Sequence, residues 1–284
     1  MDNLTAWQGR TKERLDVITA APIAAMAALL DRDDPAPTPG SAVPPLWHWL
    51  YFLPVHRQSQ IGPDGHALRG GFLPPVDLPR RMWAGGRLRF IAPLQVGDKA
   101  RRVSTIADIT SKEGRSGKLV FVLVRHVIEG AAGVAIEEEH DIVYRANPQP
   151  GDPAPSPVLA PVAADLDHDW IRDITPDPVL LFRYSALTFN GHRIHYDQPY
   201  VTQVEGYPGL IVHGPLIASL LLDLVRRERP AAVVTAFSFR AVQPLFDIHR
   251  FSVCGRVEPD GHTITLWAKT HDGQLAMRAE AQLA

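Results

Sequence analysis

The residues best suited to chemistry lie in Asn190-Gly-His-Arg-Ile-His-Tyr-Asp197 and, just downstream, in Ile211-Val-His-Gly-Pro-Leu216. The first run crowds groups that hold ligands by hydrogen bonds with imidazoles that titrate near neutrality and so can move protons. The second ends in a Gly-Pro step that opens an apolar helix. The first N–H groups of a helix have no internal partner and lie at the positive end of its dipole. Together the runs suit a reaction that builds charge on a carbonyl oxygen. Pro215 has no N–H, so the donor is Gly214 or a residue beyond the proline.

The helix is predicted from Pro215 at its start, Arg226, Arg227 and Arg229 near its end, and Pro230 as its stop. Residues 216–225 are apolar except Ser219 and Asp223, which predicts burial on most sides. At ~1.5 Å per residue the helix would run roughly 22 Å, enough to cross a small sheet. Downstream, Phe239–Asp247 leads to a strand over Arg250–Val257, an Asp-Gly turn at Pro259–Gly261, a strand over Thr263–Thr270, a His271-Asp-Gly273 hairpin and a last strand over Gln274–Leu283. Leu275, Met277, Ala279 and Ala281 alternate as one face of that strand.

The first half repeats this layout. Phe90–Asp98 precedes strands from Arg101, a turn at Ser111–Gly117, a strand over Lys118–Ile128, a turn at Glu129–Gly133 and a strand over Val134–Tyr144. An earlier apolar helix is expected to start near Pro22, and Leu46–Leu53, with Trp47, Trp49, Tyr51 and Phe52, reads as core. Six prolines between Asn147 and Ala164 mark a linker. Residues 1–146 therefore form one domain, 147–169 a linker and 170–284 a second domain.

Composition narrows the function classes. The net charge of -2 and the lack of a Lys/Arg-dense run give no nucleic-acid footprint. The apolar stretch Val17–Leu30, broken by Thr19 and Pro22, falls short of the ~20 residues of a membrane span. Asp2, Glu13 and Asp16 precede it, where a secretory signal would be basic. The single cysteine, Cys254, excludes an internal disulfide framework and a cysteine zinc site. It reads as core filler and fits a reducing cytoplasm.

Ser185–Asp197 with Gly209–Leu216 resembles the signature of the MaoC-like hydratase/dehydratase superfamily. Within it, the chain is most similar to the double-hotdog 3-hydroxyacyl-thioester dehydratases, a branch that includes mesaconyl-C4-CoA (3-methylfumaryl-CoA) and itaconyl-CoA hydratases. The resemblance implies an α+β double hotdog: two fused hotdog folds, each an antiparallel sheet wrapped around a central helix. It also implies a hydro-lyase, adding water to a short branched enoyl-CoA, dicarboxylic ones included. Coenzyme A arrives as part of the substrate, and no separate cofactor or metal is implied. The family motif reads Asp-x-Asn-Pro-(aliphatic)-His. His195 and Ile194 fall on its last two positions, while Asn190 replaces the aspartate, His192 the asparagine and Arg193 the proline. Asn190 can then only position water, and His195 carries the proton transfer. Gly214 matches the glycine whose N–H binds the thioester carbonyl, a contact worth ~3 kcal/mol in a transition state. His192 and Asp197 are further candidates, Asp197 as a substitute carboxylate or a histidine-orienting group.

Other readings stand beside these. His213 is a cap, a packing residue or a substrate contact. Arg193, Arg183 and Arg240 can bind coenzyme A phosphates or a substrate carboxylate. The spacing of His192, His195 and His213 matches no standard zinc set. Ser185 and Thr188 sit in no nucleophile elbow. Two alternatives to the hydratase remain: a 3-hydroxyacyl-thioester dehydratase of fatty acid synthesis and a non-catalytic thioester-binding module. The partners expected are an acyl-CoA substrate and, in a homodimer, a second copy of the chain; nucleic acid and membranes are not.

Overall fold

The computed structural model describes residues 4–114, 117–146 and 162–284. In chain order they form β1 (Thr11–Val17), α1 (Ala20–Leu29), β2 (Arg80–Phe90), β3 (Lys99–Gly114), β4 (Gly117–Gly130) and β5 (Gly133–Arg145). There follow β6 (Trp170–Ile174), α2 (Pro178–Leu187), α3 (Gly214–Glu228), β7 (Val234–Ala241), β8 (Phe251–Val257), β9 (Thr263–Lys269) and β10 (Leu275–Leu283). All ten strands join one sheet in the order β1-β3-β4-β5-β2-β7-β10-β9-β8-β6. From the centre outward, β2-β5-β4-β3-β1 on one side matches β7-β10-β9-β8-β6 on the other. The repeat expected from the sequence is thus a pseudo-twofold about the β2–β7 seam, and the double hotdog has one continuous antiparallel sheet. The Pro-rich segment lies outside the described residues over 147–161.

At the seam, Gly85 pairs with Arg240 and Gly86 with Phe239. A Cβ on Gly85 would lie 2.5 Å from the Phe239 carbonyl oxygen, so only glycine lets the two strands approach this closely. The hairpins fall where Asp-Gly turns were predicted, with Gly261 and Gly273 at φ 73° and 82°. The Ser111–Gly117 turn is tighter than its composition suggests: β3 stays paired to Gly114, opposite Gly117.

α3 is buried from Leu216 through Val225, Ser219 and Asp223 included, and packs chiefly on β8. Asp223 is tolerated there because three arginines reach it: Arg32 Nη1 and Arg172 Nη1 at 2.8 Å and Arg227 Nε at 2.7 Å. Arg172 and Arg227 also donate to the Leu30 carbonyl, so the cluster fastens the end of α1 to α3 and β6.

Three expectations change. The first half has no central helix of α3's length among the described residues. α1, which starts at Ala20 with Pro22 in its first turn, and the buried Leu46, Trp47, Leu50, Tyr51 and Phe52 share the core with its strands. β1 went unpredicted because its TKERLDV sequence lies at a sheet edge and is mostly exposed; its charges discourage edge-to-edge pairing. In β10, a bulge between Leu275 and Met277 turns Leu275 off the shared face. Met277, Ala279 and Ala281 enter the main core, whereas Leu275 joins Cys254 and Trp267 in a separate cluster. Cys254 is fully buried core filler, and burial pushes its thiol up to about 11.

Candidate active site

The motif begins where α2 ends. Asp177 caps that helix, accepting a hydrogen bond from the Leu180 N–H at 2.7 Å. After Leu187 the chain reverses through Phe189, at φ 49°, and Asn190 N donates to the Ser185 carbonyl at 2.8 Å. The Asn190 Oδ1 accepts from the His192 N–H at 3.0 Å. A backbone N–H can only donate, so the amide oxygen is committed to the turn and Nδ2 is left as the donor. A single 3₁₀ turn, Arg193–His195, then carries His195 into the interior.

His195 is held by the chain just before α3. Its Nδ1 lies 2.7 Å from the Ile211 carbonyl, and Ile211 N donates to Ile194 O at 2.9 Å. A carbonyl only accepts, so Nδ1 carries the proton and Nε2 is the basic nitrogen. Burial pushes His195 down to about 4, so it is neutral at ordinary pH. Burial also pushes His192 and His213 well below the usual histidine range.

His213 stacks on His195 with centroids 3.7 Å apart, touches Tyr184 edge-on, and reaches the Ser185 Oγ through Nε2 at 2.8 Å. It is buried against His195 and Tyr184. Ser185 therefore serves as His213's partner. Gly214 comes next, as the first residue of α3. Among the described residues none accepts its N–H, and a Cβ placed on it would meet nothing within 4 Å. Space therefore opens directly before the helix start.

The first half reaches into this site, which the sequence did not disclose. A tight turn, closed by Gly62 N donating to His66 O at 2.7 Å, docks on the motif. Gly65 has φ +88°, and a Cβ on it would lie 1.7 Å from the Gly191 oxygen, so backbone meets backbone here. Arg193 donates from its backbone N–H to Asp64 O at 2.9 Å and from Nη1 to Pro63 O at 3.0 Å. The Asp64 carboxylate accepts from both the backbone N–H and Nδ1 of His66 at 3.0 Å. That side-chain bond holds its carboxyl far below the usual range. The His66 ring lies 3.9 Å from His192, which meets His195 edge-on at 5.5 Å. Pro63-Asp64-Gly65 announces a turn but not its destination.

Asp64, His66 and His192 bring ligand-capable atoms within 4.8 Å of one another, a different trio from the histidines weighed in the sequence. The Asp64–His66 hydrogen bonds already account for two of its members. In the other trio, His195 Nδ1 is committed to Ile211 and His213 Nε2 to Ser185.

Asp197 finds its partners within its own loop. It accepts from the Tyr200 N–H at 3.1 Å and pairs with Arg193 at 2.8 Å. Arg193 is thereby occupied, and it also stacks on Tyr200. Arg183 on α2 and Arg240 on β7 are exposed.

Known proteins resemble the chain in sequence and in fold. The family model for hydroxyacyl-thioester dehydratase type 2 matches residues 46–247. The chain is 52% identical over 279 residues to the mesaconyl-C(4)-CoA hydratase of Chloroflexus aurantiacus, covering 98% of this chain and 97% of the relative. It is 26% identical to the mitochondrial hydroxyacyl-thioester dehydratase type 2 of Schizosaccharomyces pombe, over 75% of this chain and 78% of that one. A solved MaoC-like dehydratase superposes with a TM-score of 0.72 at 14% identity, over 99% of both chains. A double-hotdog protein of Mycobacterium tuberculosis does so at 0.59 and 15% identity, over 98% and 96%. The structural neighbours carry the fold, and the family match spans both the first-half turn and the histidine motif. The chain belongs to the hydroxyacyl-thioester dehydratase type 2 family.

Proposed function

We propose that the protein is an acyl-CoA hydratase of the mesaconyl-C4-CoA type. The observation that carries this reading is the neutral His195, anchored through Nδ1 with Nε2 left basic beside the start of α3, in a chain 52% identical to such a hydratase from end to end. Asn190 Nδ2 donates to the oxygen of a water. His195 Nε2 takes one of that water's protons as the oxygen bonds to the β-carbon. Electrons move through the double bond onto the thioester oxygen, which lies at the Gly214 N–H. The imidazolium then gives its proton to the α-carbon, and the 3-hydroxyacyl thioester leaves. A buried histidine is a weak base but a strong acid once protonated, which favours returning the proton. Coenzyme A enters with the substrate, and this route calls on no other cofactor.

Among the described residues no helix is long and apolar enough to cross a membrane. A cytoplasmic location and a homodimer belong to the same proposal, supported by the lone buried Cys254 and by the enzyme class of the relatives.

The test is loss of enoyl absorbance with mesaconyl-C4-CoA, itaconyl-CoA, crotonyl-CoA and a crotonyl-acyl-carrier protein. Wild type should be fastest on mesaconyl-C4-CoA. His195→Ala should lose at least roughly 10³-fold in kcat, near the general acid–base range. Preference for the carrier protein would favour the fatty-acid dehydratase. Inactivity on every thioester would sink the enzyme reading.

A further inference from the structure

A water that attacks a double bond has two hydrogens and two lone pairs to place. In the hydration above, one lone pair goes to the β-carbon and the other accepts from Asn190 Nδ2. One hydrogen goes to His195 Nε2, and the second still needs an acceptor. An aspartate at position 190 would offer two oxygens, but the single Asn190 oxygen accepts from the His192 N–H at 3.0 Å. The carboxylates of the motif and of the turn docked on it are occupied: Asp197 by Arg193 and Tyr200, Asp64 by His66. The His192 ring is not. Neither of its nitrogens has a hydrogen-bond partner among the described residues, yet neither is sealed off, whereas His213 Nδ1 is both unpartnered and sealed.

We propose that His192 accepts the second hydrogen of the reacting water, and that Asp64 and His66, in the half of the chain without the motif, are positioning residues for its ring. The inference deepens the hydratase reading and rests on it. The His192 and His195 rings stand perpendicular, with centroids 5.5 Å apart. A hydrogen bond from water to nitrogen spans about 2.8 Å, so one water can reach a nitrogen of each ring. Burial keeps both rings neutral, and a neutral imidazole retains one acceptor nitrogen. His66 packs against the same His192 ring, with centroids 3.9 Å apart. It is itself held by Asp64, whose carboxylate accepts from its backbone N–H and from Nδ1, both at 3.0 Å. The Asp64 carbonyl accepts from the N–H of Arg193, the residue after His192, at 2.9 Å. His192 is thus fixed at its backbone by Asn190 and at its ring by a carboxylate-anchored imidazole from the other half.

In the 3-hydroxyacyl product the second hydrogen survives as the hydroxyl hydrogen. His195 Nε2 then faces the α-hydrogen that it removes in the reverse reaction, so the hydroxyl falls to His192. Succinyl-CoA and 3-hydroxysuccinyl-CoA differ only in that hydroxyl, and titration calorimetry with both hydroxy enantiomers reads its worth without turnover. Wild type should bind the better enantiomer roughly 5- to 10-fold tighter than succinyl-CoA, the value of one net hydrogen bond. His192→Phe should bring the ratio close to one, and His192→Gln, whose amide oxygen can accept, should restore part of it. His66→Ala should also lower the ratio while leaving succinyl-CoA affinity unchanged, whereas a collapsed site would weaken both ligands alike. A wild-type ratio near one overturns the proposal even if the variants misfold. So does a ratio that survives His192→Phe in a folded protein, judged by circular dichroism. A ratio untouched by His66→Ala overturns the positioning role. Wild-type turnover of mesaconyl-C4-CoA is scored separately. A high ratio without turnover keeps the His192 contact and removes the hydratase reading; turnover with a ratio near one does the reverse.

Discussion

At the scale of residues, burial decides the chemistry of His195. Its folded-state value of about 4 lies below the 6.5 of an exposed histidine. Between these values the unfolded chain binds a proton that the folded chain refuses, so stability should fall as pH drops from 6.5 toward 4. The loss from His195 alone is about 3 kcal/mol, at 1.36 kcal/mol per unit. Buried His192 and His213 push in the same direction. For activity, kcat/KM should stay flat through pH 6.5 and decline only toward about 4, provided each point is read before unfolding. An inflection near 6.5 in initial rates would mean that another group, or an unburied His195, is the base. The motif's central residues could be read from sequence because they are contiguous and their roles follow from functional-group chemistry. A carboxylate two residues from a histidine looks free in the sequence, and only the fold shows that Asp197 pairs with Arg193.

At the scale of elements, the start of α3 separates structural from chemical need. Gly214 has an ordinary backbone conformation, and a methyl there would touch nothing. Gly214→Ala should therefore leave thermal stability unchanged or raise it by ~0.5 kcal/mol, since alanine narrows the unfolded ensemble. Activity should nevertheless fall, because the methyl enters the space where the thioester oxygen lies. A variant as active as wild type would place the oxyanion donor elsewhere. α3 was legible because proline, arginine and apolar periodicity agree over fifteen residues. α2 carried an equally physical signal, Asp177 capping with Pro178 behind it, that a search for catalytic motifs passes over. The β10 bulge left no local mark: Leu275 continues the alternation in sequence and departs from it in space.

At the scale of the whole molecule, the halves are joined by the β2–β7 seam and by Asp223 with its three arginines. Asp223→Asn leaves the partly buried Arg172 and Arg227 without their carboxylate, while Arg32 keeps Asp34. It should cost roughly 2–4 kcal/mol, a buried-pair loss discounted for the arginines' partial exposure. Denaturant unfolding checks this, and a change below ~0.5 kcal/mol would reduce the cluster to decoration. The repeat could be seen in sequence because each half carries its own hairpin signals. The meeting of Asp64 and His66 with a motif more than a hundred residues away could not, since it depends on how the halves dock. That docking has a kinetic consequence. A site assembled from separate subunits dissolves when they are diluted below their dissociation constant. Here both walls of the pocket travel on one chain, so their local concentration is fixed by the tether and is the same in a crowded cell and in a dilute assay.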